Sequence, residues 1–326
     1  MSNQLTVIIP IYNRAHVLAR TLDSIAASTV LPAELILVDN NSQDDSLRCC
    51  RNWAARHATD TFRVTVLEAQ RPGASVARNV GLAACTTPYV YFFDSDDLFS
   101  DAFVADLSRS ISAHPTADVF FVPVRQQVGR RSEVRAYQPS AAAWLHVLNS
   151  QFDTLSMVFR TDYLRNLGGW DEHLTVWDDW ELGLRVALSG PRWLWLTEKA
   201  YHHVIVHTQS QTGTGFAATA TPILQVMRQA LCEVQSAPSA GNNRNRCLTA
   251  LYYRTCITEG KLIQEKAAAG IAAFAAFRHE AFPQRPPFQR LMGTLLRTYT
   301  GWGGRGAWRI AMFIVRPTQL LMPASR

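Results

Sequence analysis

A chain of 326 residues is long enough to bury a full α/β core and a smaller appendage. With 48% apolar and 18% charged residues, it is not an intrinsically disordered protein. A formal charge of +6 suits anionic ligands, acidic membrane surfaces or nucleic acid and selects none of them.

The opening MSNQLTVIIPIYN has neither a basic n-region nor a cleavage site, and Val7 to Ile11 is too short for a secretory core. Cys49, Cys50, Cys85, Cys232, Cys247 and Cys256 form no CxxC pair or zinc spacing, which reads as reduced thiols in a cytosolic protein. No stretch approaches the ~18 uninterrupted apolar residues of a membrane-spanning helix. The expectation is a cytoplasmic protein, soluble or peripheral on the inner face of a membrane.

Leu5–Ile11 and Glu34–Val38 are apolar runs without polar alternation, as expected for parallel strands covered on both faces. Between them, Val17, Leu18, Leu22 and Ile25 mark a helical stripe. Gln43 to Ala58 predicts a second helix, with Asn41 or Ser42 as N-cap. Phe62–Leu67, Ser75–Ala84 and Tyr89–Phe93 predict a third strand, a third helix and a fourth strand. That rhythm predicts an open parallel sheet, whose ligands bind beyond the carboxyl ends of the strands. Mixed structure follows, with strands at Val119–Val124 and Ser156–Arg160 and a helix at Asp179–Ser189. Thr208–Thr221 reads as a polar loop, and Ile223–Glu233 and Arg246–Phe277 as helical. Beyond Pro286 the tail is cationic and aromatic with no acidic residue.

Chemistry is concentrated at strand ends. Asp94, Asp96 and Asp97 crowd three carboxylates after an apolar strand, which is costly unless a cation or donor groups offset them. Asp94 and Asp96 alternate and so share one face. They suit Mg²⁺ or Mn²⁺ completed by diphosphate oxygens, or else a solvated helix-capping turn. Asp39, followed by Asn40, Asn41 and Ser42, suits a ring N–H or ribose hydroxyl, or a plain N-cap. In Gly73–Gly81, Arg78 offers a forked cation for phosphate or is a surface arginine at a helix start. Asp178 and Asp179, between Trp177 and Trp180, can present a base or merely cap a helix. His207 precedes a hydroxyl-rich loop and can ligate a metal or be structural.

The order VIIPIYNR, VDNNSQDDS, GASVARNVGL, YVYFFDSDD, WDDWELGLR, VHTQSQT resembles the family 2 glycosyltransferases of the GT-A fold over residues 5–212. The resemblance implies a mostly parallel α/β sheet with flanking helices in a catalytic domain of residues 1–215, and a C-terminal helical region over 216–326 with a basic amphipathic tail. It implies donor contacts from Pro10, Tyr12, Asn13, Asp39, Arg78, Asp94 and Asp96, with Asp39 on the base and Asp94 nearer the ribose. Asp96 and His207 would hold Mn²⁺ or Mg²⁺, and Asp179 would be the general base. Transfer of one sugar with inversion follows, from a nucleotide diphosphate sugar, UDP-sugar favoured, to a glycan or lipid-linked hydroxyl in cell-surface polysaccharide synthesis. Three departures stand out: Asn40-Asn41 for the commoner Asp-Gly, Asp178 where Glu is usual, and His202 where Arg is common. No Q-x-x-R-W motif accompanies the chain, which argues against a processive synthase.

The alternatives are a catalytically degenerate GT-A-like binding protein or a sugar nucleotidyltransferase. The latter is disfavoured because PIYNRAHVL lacks a glycine-rich loop. Dispersed Arg among Leu, Trp and Phe in the tail argues against nucleic acid. It leaves two readings: peripheral membrane or acceptor-lipid contact, or a helical appendage packed by its apolar face.

Overall fold

The computed structural model describes residues 4–128, 131–134, 142–196, 200–206, 215–237 and 241–315. The chain divides into two compact units, one of Met1–Pro139, Phe152–Leu182 and Pro191–Thr208, the other of Ser140–Gln151, Gly183–Gly190 and Gln209–Arg326.

The first unit holds a sheet of seven strands, counted among the described residues. In chain order these are β1 (Leu5–Ile11), β2 (Glu34–Asp39), β3 (Arg63–Glu68), β4 (Tyr89–Phe92), β5 (Val119–Phe121), β8 (Met157–Arg160) and β9 (Trp193–Trp195). Across the sheet they run β3-β2-β1-β4-β8-β5-β9, all parallel except β8, which is antiparallel to β4 and β5. A smaller sheet orders β10 (Tyr201–Val206), β6 (Val124–Val128) and β7 (Arg131–Val134). This is the expected mostly parallel α/β architecture.

The central strands are apolar throughout because both faces are covered. Val7, Ile9, Leu35 and Leu37 join Leu18, Leu22 and Ile25 of α1 (Ala15–Ala26) and Cys50 and Trp53 of α2 (Ser46–His57) in one core. On β1's other face, α3 (Ala74–Ala84) comes so close that a Cβ on Gly81 would lie 2.4 Å from Ile8. Only glycine fits that crossing.

Some boundaries differ from expectation. α2 starts at Ser46 rather than Gln43, and neither Asn41 nor Ser42 caps it, because the preceding residues form a hydrogen-bonded turn with the β1 loop. The expected strand Val119–Val124 is two strands in two sheets, interrupted at Val122 and Pro123. Proline has no N–H to give a ladder.

In the second unit, α9 (Gly241–Gln264) is the central helix. α5 (Ala143–Asn149), α8 (Phe216–Ser236), α10 (Ala268–Ala281), α11 (Pro287–Gly301) and α12 (Ala307–Val315) all pack against it. The expected helix over Arg246–Phe277 breaks between α9 and α10, where Lys266 takes a left-handed φ of 57°. α8 begins six residues ahead of Pro222, within the stretch expected as loop. Glu259 is fully buried on α9 and paired with Arg278 at 3.0 Å and Arg297 at 2.8 Å, which ties α9 to α10 and α11. Gly260 permits the α9–α11 approach, since a Cβ there would stand 2.5 Å from the Arg297 carbonyl.

His202 is a buried ring of the first unit's core. It stacks on Tyr91 at 5.4 Å between ring centroids and is packed by Phe93, Phe99 and Phe103. The Ser100 amide donates to its Nδ1 at 3.2 Å. Burial, and secondarily His203, push its pKa down to about 3. An unfolded histidine takes its proton near ~6.5, so between these values the unfolded chain binds more protons and stability falls as pH drops. Urea melts in stages from about pH 7 to about pH 5 should show this as up to ~1.4 kcal/mol per pH unit. His202→Phe should remove that component. Equal slopes in the two proteins would mean the ring is not held neutral.

Candidate active site

The chain passes from β1 outward to β2 and β3 and returns to β4 on β1's other side, so adjacent connections leave the β1/β4 edge in opposite directions. A crevice forms beyond the carboxyl ends of strands at such a point. Register places Ile11 level with Asp39 and Ile8 level with Phe92, so Asp39 and Asp94 flank the end of β1 on neighbouring strands. Two strand spacings separate their chains by roughly 10 Å.

The loops after β1 and β2 hold one another. Asn13, at a left-handed φ of 52°, accepts from the Gln43 amide at 2.7 Å and donates its own amide to Ser42 Oγ at 3.0 Å. Asp39 Oδ2 accepts from the Ser42 amide at 3.1 Å. Its other oxygen, Oδ1, is buried and has no hydrogen-bond partner. A buried carboxylate oxygen left this way costs free energy unless a ligand supplies a donor. Asn40 accepts from the Gly73 amide at 2.7 Å and donates to the Arg71 carbonyl at 2.8 Å, clamping the turn into α3. Asn41 carries the left-handed φ, 63°, that a glycine in this turn would take at no steric cost, and asparagine tolerates it. Pro10 lies near the end of β1, and Tyr12 stands 55% exposed on the loop after it.

From α3, Arg78 reaches two carboxylates. Its Nη1 donates to Asp178 at 2.8 Å, and its Nη2 lies 3.7 Å from Asp94. The guanidinium lies 4.4 Å from the Trp170 ring centroid, a cation–π arrangement. Its Nε is buried without a partner. Ser75 donates to the same Asp178 oxygen at 2.9 Å. Arg78 is thus no surface arginine, and its cation is already engaged by Asp178 and Asp94.

The carboxylates after β4 are crowded. Burial raises Asp94 most, Arg78 lowers it, and Asp96, Asp153 and Asp178 raise it further, to a pKa of about 6. The side chain still meets solvent over 38% of its area, and water moderates the rise. Arg14 lies 3.3 Å from Asp96. Thr21 donates to the carbonyls of Ser95 and Asp97 at 3.0 and 2.9 Å, and Arg20 to that of Asp96 at 2.9 Å, fixing this turn against α1. Among the described residues no three His, Cys, Asp or Glu form a metal cage. Asp94 and Asp96 are hard oxygen donors, and a Mg²⁺-like cation needs only one or two carboxylates when diphosphate and water complete its shell. The donor set therefore fits such an ion. His207 lies outside the described residues.

Asp178 opens α7 (Asp178–Ser189) directly after Trp177, which takes a left-handed φ of 55°. For a bulky side chain this is strained backbone, found where surrounding contacts hold it. Asp179 is half-buried, its Oδ1 accepting the Trp180 amide at 2.7 Å. It follows Asp178, the Arg78 partner, directly in the chain.

Asp153 was not singled out in the sequence. It lies at the N-cap of a single 3₁₀ turn (Thr154–Ser156) before β8, and that strand's pairing with β4 brings it into Asp94's field. Only a D-x-x-S capping pattern, Asp153 to Ser156, hinted at the turn. Arg14 and Ser75 likewise had no assigned role.

Residues 6–173 match the family described as Glycosyl transferase family 2. Glycosyltransferase GlyA of Streptococcus pneumoniae serotype 4 is 33% identical over 111 residues, covering 34% of this chain and 15% of that protein. The minor teichoic acid biosynthesis protein GgaB of Bacillus subtilis is 25% identical over 218 residues, 61% of this chain and 22% of GgaB. The poly(ribitol-phosphate) beta-N-acetylglucosaminyltransferase TarP of Staphylococcus aureus is 32% identical over 108 residues, 32% of each chain. The matched segment is thus less than a third of the first two relatives. Among solved structures, S. aureus TarS 1–349 in complex with UDP-GlcNAc aligns with TM-score 0.71 at 18% identity, covering 96% of this chain and 91% of that one. A mannosyltransferase of Pyrobaculum calidifontis in complex with GDP-Man and Mn²⁺ gives 0.57 at 22% identity, covering 95% and 86%. Both share the fold.

Removing the Asp178 carboxylate would leave Arg78 buried with only the longer Asp94 contact. Asp178→Ala should lower unfolding free energy by about 2 kcal/mol, less than for a fully buried pair because Asp178 is partly solvated. Urea unfolding measures it, and a loss under ~0.5 kcal/mol would place Arg78 among other partners.

Proposed function

Because the chain belongs to glycosyl transferase family 2, we propose that it transfers a single sugar, with inversion, from a nucleotide diphosphate sugar to a hydroxyl of a glycan or lipid-linked acceptor. The observation that carries this reading is the convergence of Asp94, Asp96, Arg14, Arg78 and Asp178 beyond β1 and β4, beside an Asp39 oxygen with no protein donor.

Asp39 Oδ1 accepts a base N–H, which satisfies that buried oxygen. Pro10, Tyr12 and Asn13 line the donor loop, and Asp94 receives a ribose hydroxyl. Asp96 and His207 would hold Mn²⁺ or Mg²⁺, which would supply positive charge against the diphosphate. Arg78, itself neutralised by Asp178, anchors the acids that face the donor rather than acting as a free phosphate clamp. Asp179 takes the acceptor's proton as the hydroxyl oxygen bonds to the anomeric carbon, and the diphosphate departs with the electron pair of the broken C–O bond. A UDP-sugar is the favoured donor, supported by the UDP-GlcNAc complex of TarS, whose fold this chain shares. A role in cell-wall polysaccharide synthesis on the cytoplasmic side is supported by the likeness to GgaB and TarP.

A panel of nucleotide sugars assayed with Mn²⁺ should yield at least one bound and hydrolysed donor. Asp179→Asn should keep donor affinity while transfer falls about 10²- to 10⁴-fold; normal turnover would assign the base elsewhere. Asp96→Ala should abolish the metal-dependent part of donor binding by calorimetry. If Mn²⁺ still tightens donor binding to the variant as much as to the parent, Asp96 is not a metal ligand.

A further inference from the structure

α11 is apolar on two sides. Gly293, Leu296 and Thr300 are buried, and the helix packs on α9. Roughly a third of a turn around the helix, at 100° per residue, lies a second stripe of Phe288, Leu291, Leu295 and Tyr299, continued by Trp302. These are exposed by 60, 58, 51, 41 and 87% respectively. Spacings of three and four residues keep them on one face. α12 adds Phe313, 66% exposed, while its Ala311, Met312 and Val315 are buried.

Single exposed apolar side chains need no explanation, but a stripe of five on one face of α11 and its C-cap implies an occupant. Its chemistry is set by the charge around it. Arg305, whose carbonyl accepts from Tyr299 Oη at 3.0 Å, is exposed beside the stripe, Arg290 and Arg309 are exposed on the same two helices, and the sequence beyond Glu280 contains no Asp or Glu. A second copy of this chain would set arginines against arginines, which is unfavourable. An anionic bilayer surface offers headgroup phosphates to the arginines and an acyl boundary to Phe, Leu and Trp. Tyr299 and Trp302, with apolar bodies and polar tips, suit the headgroup level. No helix among the described residues is long and apolar enough to cross a bilayer, so the contact lies in the plane of the surface.

We propose that the outer face of α11, with Trp302 at its end, is a docking surface for an anionic lipid bilayer. The inference is independent of the reaction assigned above, because it concerns exposed residues outside the acidic site.

Flotation of the full chain with liposomes tests it directly. The protein should rise with equimolar phosphatidylcholine and phosphatidylglycerol and stay behind with phosphatidylcholine alone. Arg290→Gln with Arg305→Gln should weaken partition roughly thirtyfold, at about one kcal/mol per cation. Leu295→Ser with Trp302→Ser should abolish flotation. Because all four side chains are exposed, circular dichroism and thermal melting should match the parent, and donor hydrolysis should persist. Failure to float, or flotation unaffected by both double variants, overturns the proposal. It is equally overturned if sedimentation shows a dimer that Leu295→Ser with Trp302→Ser dissociates, since the stripe then serves self-association.

Discussion

Arg78 is the charge around which the acidic site is built. It projects from α3, under the Trp170 ring, into a region where Asp96, Asp153 and Asp178 raise the cost of ionising Asp94. Without a cation in their midst, that many carboxylates at a strand end would protonate or move apart. The pairing with Asp178 has a second consequence: it fixes the first residue of α7, and with it the strained backbone of Trp177 and the position of Asp179. Electrostatic compensation and placement of the candidate base are therefore one interaction.

Around that charge, the loops spend their polar groups on each other and leave a few open. Asn13, Ser42, Gln43 and Asp39 form a closed set of hydrogen bonds, and Asn40 locks the Gly73 turn from the next strand. Rigid loops of this kind avoid the entropy cost of ordering when a ligand arrives. The oxygen that remains without a donor, Asp39 Oδ1, lies at the carboxyl end of β2, level with the end of β1. Preorganised walls and one unsatisfied buried acceptor are what a specific site requires.

The first hundred residues were legible because strands buried on both faces have no alternation to misread, and β1, β2, α3 and β4 match their predicted spans to within a residue or so. Asp39, Asp94 and Asp96 stood out as candidates for a related reason, since they sit at or just beyond strand ends, where polar residues in such a sheet have no core role. What could not be read depends on non-consecutive pairing. Asp153 reaches Asp94 only because β8 inserts antiparallel between β4 and β5. Arg78 looked like a phosphate ligand in the sequence, and its engagement with Asp178, a hundred residues away, is a tertiary fact. The turn at Asn41 was mistaken for a cap because asparagine favours both, and the competing bonds from the β1 loop decide between them.

The helical unit shows why its tail resisted assignment. A helix that packs and a helix that binds a surface both display apolar residues three and four apart, so the pattern alone cannot distinguish them. α11 displays two such faces, separated by about a third of a turn. The inner face is recognisable by its small residues, Gly293 and Thr300, which allow close approach to α9, and by Arg297 reaching the buried Glu259. The outer face carries the large ones, including a Trp302 that is 87% exposed. Phe288, Leu291, Leu295 and Trp302 stay more than half exposed and so contribute less to folding than core side chains. Their alignment in one register suits the proposed boundary, apolar and anionic at once.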